Sequence, residues 1–138
     1  MTSPARRSRH MAMAAAFSLT ALLIPACSQD PDERRERMGL PPMDFVGNAE
    51  QGQRLFHQYC ARCHGQNARG SSQGPPLIHK IYEPSHHADL AFFRAVKNGV
   101  KQHHWQFGDM PAVEGISPVE TGHIVKYIRV EQARAGIF

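Results

Sequence analysis

The chain has 138 residues, 41% of them hydrophobic and 20% charged, with a formal net charge of +4. That length leaves room for one small domain plus appendages. The charge is uneven: Met1 to Ala26 carries Arg6, Arg7 and Arg9 and no acidic residue, and beyond it 13 basic residues face 12 acidic ones, a balance that gives no case for nucleic-acid binding.

The first element reads as an export signal over residues 1–26. A basic stretch from Arg6 to His10 precedes an apolar run from Met11 to Ile24, too short to span a bilayer comfortably. The run ends in Ile24-Pro25-Ala26-Cys27, which resembles a bacterial lipobox, where the cysteine is lipidated and becomes the new N-terminus. Leucine is usual where Ile24 stands, and proline is uncommon where Pro25 stands. Ordinary cleavage nearby, leaving Cys27 unlipidated, and an uncleaved anchor are the competing readings. The favoured expectation is a periplasmic protein held to a membrane through a lipid on Cys27.

Residues 27–47 follow as a charged, proline-bearing segment with Asp30-Pro31-Asp32-Glu33-Arg34-Arg35-Glu36-Arg37 and Pro41-Pro42. Such a composition buries little and is expected to act as a flexible tether. About twenty flexible residues have an r.m.s. reach on the order of 25 Å. A short exposed helix over the Glu/Arg run is the alternative.

The folded unit is expected over residues 48–138. Asn48 can cap a helix, with Gln51 three residues on as its partner. Gly52, Leu55, Phe56, Tyr59, Cys60 and Cys63 then recur with helical spacing on one face. That face leads directly into Cys60-Ala61-Arg62-Cys63-His64, the C-x-x-C-H attachment pattern for a c-type haem. Thiols three residues apart on a helix share a face, so both can form thioethers along one porphyrin edge, and His64 can offer an imidazole nitrogen to the iron. A zinc site needs about four ligands, and no cysteine follows Cys63. A thioredoxin-like pair needs a βαβ context, of which the sequence shows no sign.

A glycine- and serine-rich loop runs from Gly65 to Gly74. Ser85 to Asn98 reads as a second helix, with Ser85 as cap, Leu90, Phe93 and Val96 spaced for a core, and Gly99 as terminator. The third helix opens on Ser117-Pro118-Val119-Glu120, which combines an N-cap serine, a proline at the first helical position and a capping-box glutamate. Ile124, Tyr127 and Ile128 form its apolar stripe, and Gly136 can end it. No alternating run is long enough to suggest a sheet. The fold class expected is all-α, with three main helices.

Between the second and third helices lies Gly108-Asp109-Met110-Pro111. Met110 is the only methionine after the haem motif, and Pro111 biases it towards an extended backbone. A lone methionine is often core filler, so spacing alone leaves its role open.

Taken together, the capped first helix, C-x-x-C-H, Gly74-Pro75-Pro76-Leu77, the Met-Pro pair and the last helix with Tyr127 make residues 48–138 resemble a class I c-type cytochrome. The resemblance implies a small helical wrap around one covalently bound haem c. In it Gly52 and Phe56 of the first helix meet Ile124 and Tyr127 of the last. It implies His64 and Met110 as the two iron ligands and places the carbonyl of Pro75 on the free ring nitrogen of His64. Trp105 matches tryptophans that donate to a haem propionate in some relatives, and packing explains it equally well.

The function implied is one-electron transfer between periplasmic or membrane donor and acceptor proteins, with no small-molecule substrate. A closed His/Met site argues against an enzyme, and di-haem peroxidases need two attachment motifs where this chain has one. A haem subunit of a larger oxidase or dehydrogenase, or a sensor with a displaceable sixth ligand, are the alternatives. Histidine pairs at 86/87 and 103/104, with His57, His79 and His123, stand outside this scheme. They read as solvated surface residues, with a second metal site, proton-coupled redox behaviour, or competition with Met110 by His103 or His104 as the other readings.

Overall fold

A computed structural model describes residues 30–138, so the expected signal over 1–26 and Cys27 lie outside the described residues. The described chain is helical: α1 (Pro31–Arg37), α2 (Ala49–Tyr59), α3 (Ala61–His64), a 3-10 turn (Lys80–Tyr82), α4 (Asp89–Asn98) and α5 (Pro118–Arg134). The only ladder contact among the described residues is an isolated antiparallel bridge between Val100 and Met110. No described helix is long and apolar enough to cross a membrane.

The centre of the fold is the crossing of α2 on α5. A Cβ placed on Gly52 would overlap the carbonyl oxygen of His123 and come within 2.9 Å of Tyr127 Cβ. Only glycine lets the two backbones approach this closely. One turn on, Phe56 is fully buried, and its ring centroid lies 5.5 Å from that of Tyr127. Ile124 and Ile128 complete the core with Ala61, Ala68, Leu77 and Ile78.

The ends of α5 follow their sequence signals. Ser117 Oγ accepts from the Glu120 N–H, and the Glu120 carboxylate accepts from the Ser117 N–H at 2.8 Å, a complete capping box. At α2 only half of the expected box forms. The Asn48 side chain accepts from the Gln51 N–H, but the Asn48 N–H donates to Nδ1 of His123 instead of to Gln51.

Three expectations need correction. The second helix begins at Asp89 with Ala88 at its cap, not at Ser85. Pro84 keeps Glu83 extended, and the Glu83 carbonyl takes the N–H groups of both His86 and His87, so residues 83–87 close a turn of their own. The later start moves Leu90 to an exposed position, while Phe92 packs on the core beside buried Phe93.

Helix α2 also breaks once at Cys60 (φ −120°), whose carbonyl accepts from both Cys63 and His64 before α3 begins.

Residues 30–47, expected as part of a flexible tether, take up structure on the domain instead. Asp30 caps α1, Arg35 Nε donates to the Pro41 carbonyl at 2.6 Å, and the Met43 N–H donates to Asp32. Lys97 of α4 donates to the Arg37 carbonyl, and the Phe45 ring lies 5.0 Å from that of His123. Pro41 is buried. Composition alone hides this docking, because it depends on a few apolar and proline residues among many charges.

Candidate cofactor site

The core opens into a cavity of about 480 Å³, within the range of roughly 300–1,000 Å³ usual for small-molecule sites. Cys60, Cys63 and His64 line it from one side; Met110, Trp105 and Val100 come from the loop between α4 and α5, and Ile124, Val125 and Ile128 from α5. Cys60, Cys63, His64, Trp105 and Met110, together with Pro75, are the residues expected to bind cofactor, and all six line this cavity.

The loop after α3 folds back on the attachment motif. Gly70 N–H donates to the His64 carbonyl at 2.8 Å, and Ser71 Oγ donates to that of Cys63 at 2.6 Å. Leu77 and Ile78 then donate to the carbonyl of Ala68. Between these ties Pro75 is carried over the imidazole, and its carbonyl oxygen lies 2.9 Å from His64 Nδ1. A carbonyl can only accept, so Nδ1 holds the proton and Nε2 keeps its lone pair.

Burial pushes the His64 pKa down, against the opposing effect of the Pro75 hydrogen bond. The ring is therefore held neutral, the form that ligates metal.

Burial pushes the Cys60 thiol up to about 12, and Cys63 adds to the shift. Thiolate chemistry, whether zinc ligation or disulfide exchange, needs the opposite shift. A thioether carries no charge and suits this setting. No disulfide joins Cys60 to Cys63.

Met110 is half-buried and fixed at the backbone, since its N–H and carbonyl both pair with Val100 at 2.9 Å. His103 and His104 also line the cavity but are exposed. The Trp105 Nε1 atom is buried with no hydrogen-bond partner among the described residues. Tyr82 lies close enough for the indole to lower its phenol pKa, against the larger raising effect of burial, without reaching hydrogen-bond geometry with Nε1. An orphaned buried donor on an apolar cavity fits a ligand with an acidic edge. These residues fit a haem: two uncharged thiols, a neutral imidazole with its second nitrogen fixed, a thioether and an unpaired N–H.

Sequence reasoning missed Arg129 and Gln132. Gln132 is fully buried and donates to the carbonyls of Leu77 and Tyr82 at 2.9 and 3.0 Å. Arg129 donates to Asp89, to the Tyr82 carbonyl, to the Gln132 side chain and to the His87 carbonyl. Together they fasten residues 77–89 to α5. Their spacing of three on the last helix is the one signal the sequence offers.

Two histidines also depart from the surface reading. His123 is buried, and His79 caps the 3-10 turn through Nδ1 while its ring packs edge-on to Trp105 at 5.1 Å. Residues 49–130 match a family model described as cytochrome c.

Proposed function

The chain belongs to the cytochrome c family, which binds haem c covalently, and we propose that it carries single electrons between periplasmic or membrane redox proteins. Family members typically carry electrons rather than catalyse reactions. Bound haem supplies an iron that cycles between ferric and ferrous states. In this reading Cys60 and Cys63 would hold it through thioethers, and His64 through Nε2 and Met110 through its thioether would ligate the iron.

The observation that carries the reading is the His64–Pro75 hydrogen bond on the same cavity as both cysteines and Met110. It fixes the ring orientation and tautomer that iron ligation needs. A thioether and an imidazole as the two protein ligands would favour ferrous iron and raise the potential.

Membrane attachment through Cys27 is part of the proposal, and the docked segment sharpens it. With residues 30–47 lying on the domain, only residues 27–29 separate a lipid from it, a span of roughly 10 Å at full extension. Partners would therefore sit close to the membrane surface. The same shortness favours a second reading, a haem subunit fixed within a membrane complex, which co-purification from solubilised membranes separates from a free carrier.

Visible spectroscopy tests the central reading. The oxidised protein should show the methionine–ferric charge-transfer band, and Met110→Ala should lose it with haem still attached. Rapid carbon monoxide binding by the unmodified reduced protein would overturn the closed carrier site.

A further inference from the structure

Four histidines cluster beside the cavity, with His87, His103 and His104 lining it, and the proposed electron-transfer function uses none of them. His86 and His87 sit in the turn after Pro84, while His103 and His104 sit in the loop closed by the Val100–Met110 bridge. Their ring centroids are 4.8 Å apart for 86 and 87, 5.4 Å for 86 and 104, 5.2 Å for 87 and 104, and 4.3 Å for 103 and 104. One ligand nitrogen from each of His86, His87 and His104 falls within 4.8 Å of the others.

From this geometry we propose that His86, His87 and His104 bind a late first-row divalent transition-metal ion, with His103 packed on His104 at the edge of the site.

The backbone supports the assignment in three ways. His87 Nδ1 donates to the Ile81 carbonyl at 2.7 Å, so its Nε2 is the free nitrogen. His103 Nδ1 donates likewise to the Lys101 carbonyl at 2.8 Å. Ring N–H to backbone carbonyl is the usual way a protein orients a metal-binding imidazole. Both loops are also held from behind. Arg129 grips the His87 carbonyl, and Asp109 accepts from the Gln102 N–H at 3.0 Å.

Imidazole sets select zinc, copper or nickel over calcium or magnesium. Zinc–nitrogen bonds of about 2.0–2.1 Å put tetrahedral ligand atoms roughly 3.4 Å apart. Rotation of the exposed His86 and His104 side chains closes the remaining gap.

The test uses the haem-loaded protein, freed of loose metal by a chelator and titrated with zinc against a chromophoric competitor. One equivalent should bind, and His86→Ala/His104→Ala should weaken it by at least roughly tenfold. His57→Ala, at an exposed position outside the cluster, should leave binding unchanged. Copper(II) should give an electron paramagnetic resonance spectrum with nitrogen couplings that the double variant loses.

An unchanged haem spectrum in each variant certifies the fold, and His104→Ala alone serves if the double variant does not fold. Absence of stoichiometric zinc binding, or equal binding by the cluster variants, would mean ring packing only and overturn the proposal. Failure of the haem reading would show separately, as missing covalent haem, and the zinc titration would still report.

Discussion

The backbone N–H of Asn48 donates to Nδ1 of His123, 2.9 Å away, so a buried imidazole on α5 completes the N-terminus of α2. The bond pins the start of the attachment helix to the helix it crosses. His123→Phe should keep a ring against Phe45 but remove the acceptor. The bond is only part-buried, so its loss should cost about 0.5–1.5 kcal/mol. Urea unfolding of the haem-loaded variant should show that loss, and an unchanged midpoint would mean that water or another group satisfies Asn48.

Gly52 tests the same crossing from the other side. Its added Cβ in Gly52→Ala would meet the His123 carbonyl, which is backbone and cannot rotate away. The cost should reach or exceed the top of the ~1–3 kcal/mol range for overpacking. Thermal melts should shift down strongly, or the protein should fail to accumulate with haem. A near-native melt would show that α2 and α5 can slide apart.

How far these features could be read from the chain depends on how local their causes are. The Ser117–Glu120 box, the C-x-x-C-H face and the Gly52 approach are set by residues within one or two turns, and each is visible as a spacing. Pro75 on His64 came through resemblance, because the fold-back through Gly70, Ser71 and Ala68 has no periodicity to read. Ser85 looked like a cap, yet Pro84 and the Glu83 carbonyl diverted it into a turn. The docking of residues 30–47 and the Arg129–Gln132 clasp join positions far apart in sequence, so no window along the chain contains them. The histidine quartet has the same origin: two pairs separated by sixteen residues, joined only when both loops close.

The capping box gives a pH dependence with a definite sign. Ser117's N–H, then its hydroxyl, donate to the Glu120 carboxylate and hold its pKa below the ordinary glutamate value. Because the folded value is the lower one, the stabilisation is full above the ordinary glutamate range and is lost as pH falls through the folded value. Ser117→Ala should cost about 1 kcal/mol at neutral pH. The stability gap between the wild-type protein and Glu120→Gln should narrow as the pH is lowered towards 3, measured by urea unfolding at each pH. A constant gap would place the effect in packing rather than in the charged hydrogen bonds.

Arg129→Ala removes a donor from the carbonyls of Tyr82 and His87 and from Asp89. Asp89 is mostly exposed, so that ion pair contributes little. The Tyr82 carbonyl keeps its bond from Gln132, so the His87 carbonyl and the Gln132 side-chain oxygen dominate, and the loss should be about 1–3 kcal/mol. Hydrogen exchange should speed up across residues 77–89 before it does in α2. Uniform acceleration would show that Arg129 supports the whole core instead of this clasp.

Trp105 separates packing from ligand contact. Its ring lies edge-on to His79 and 6.4 Å from Phe107, contacts that Trp105→Phe largely preserves. What the substitution removes is the buried Nε1 donor, which no described residue accepts. If that N–H serves a haem propionate, its loss leaves a negative charge less compensated near the iron. Ferric iron is then favoured, and the reduction potential should fall by tens of millivolts with the absorption spectrum unchanged. Redox titration of the two proteins at one pH reads this directly. An equal potential in both would assign Trp105 to packing alone, and a changed spectrum would place its effect on the ligand loop that carries Met110.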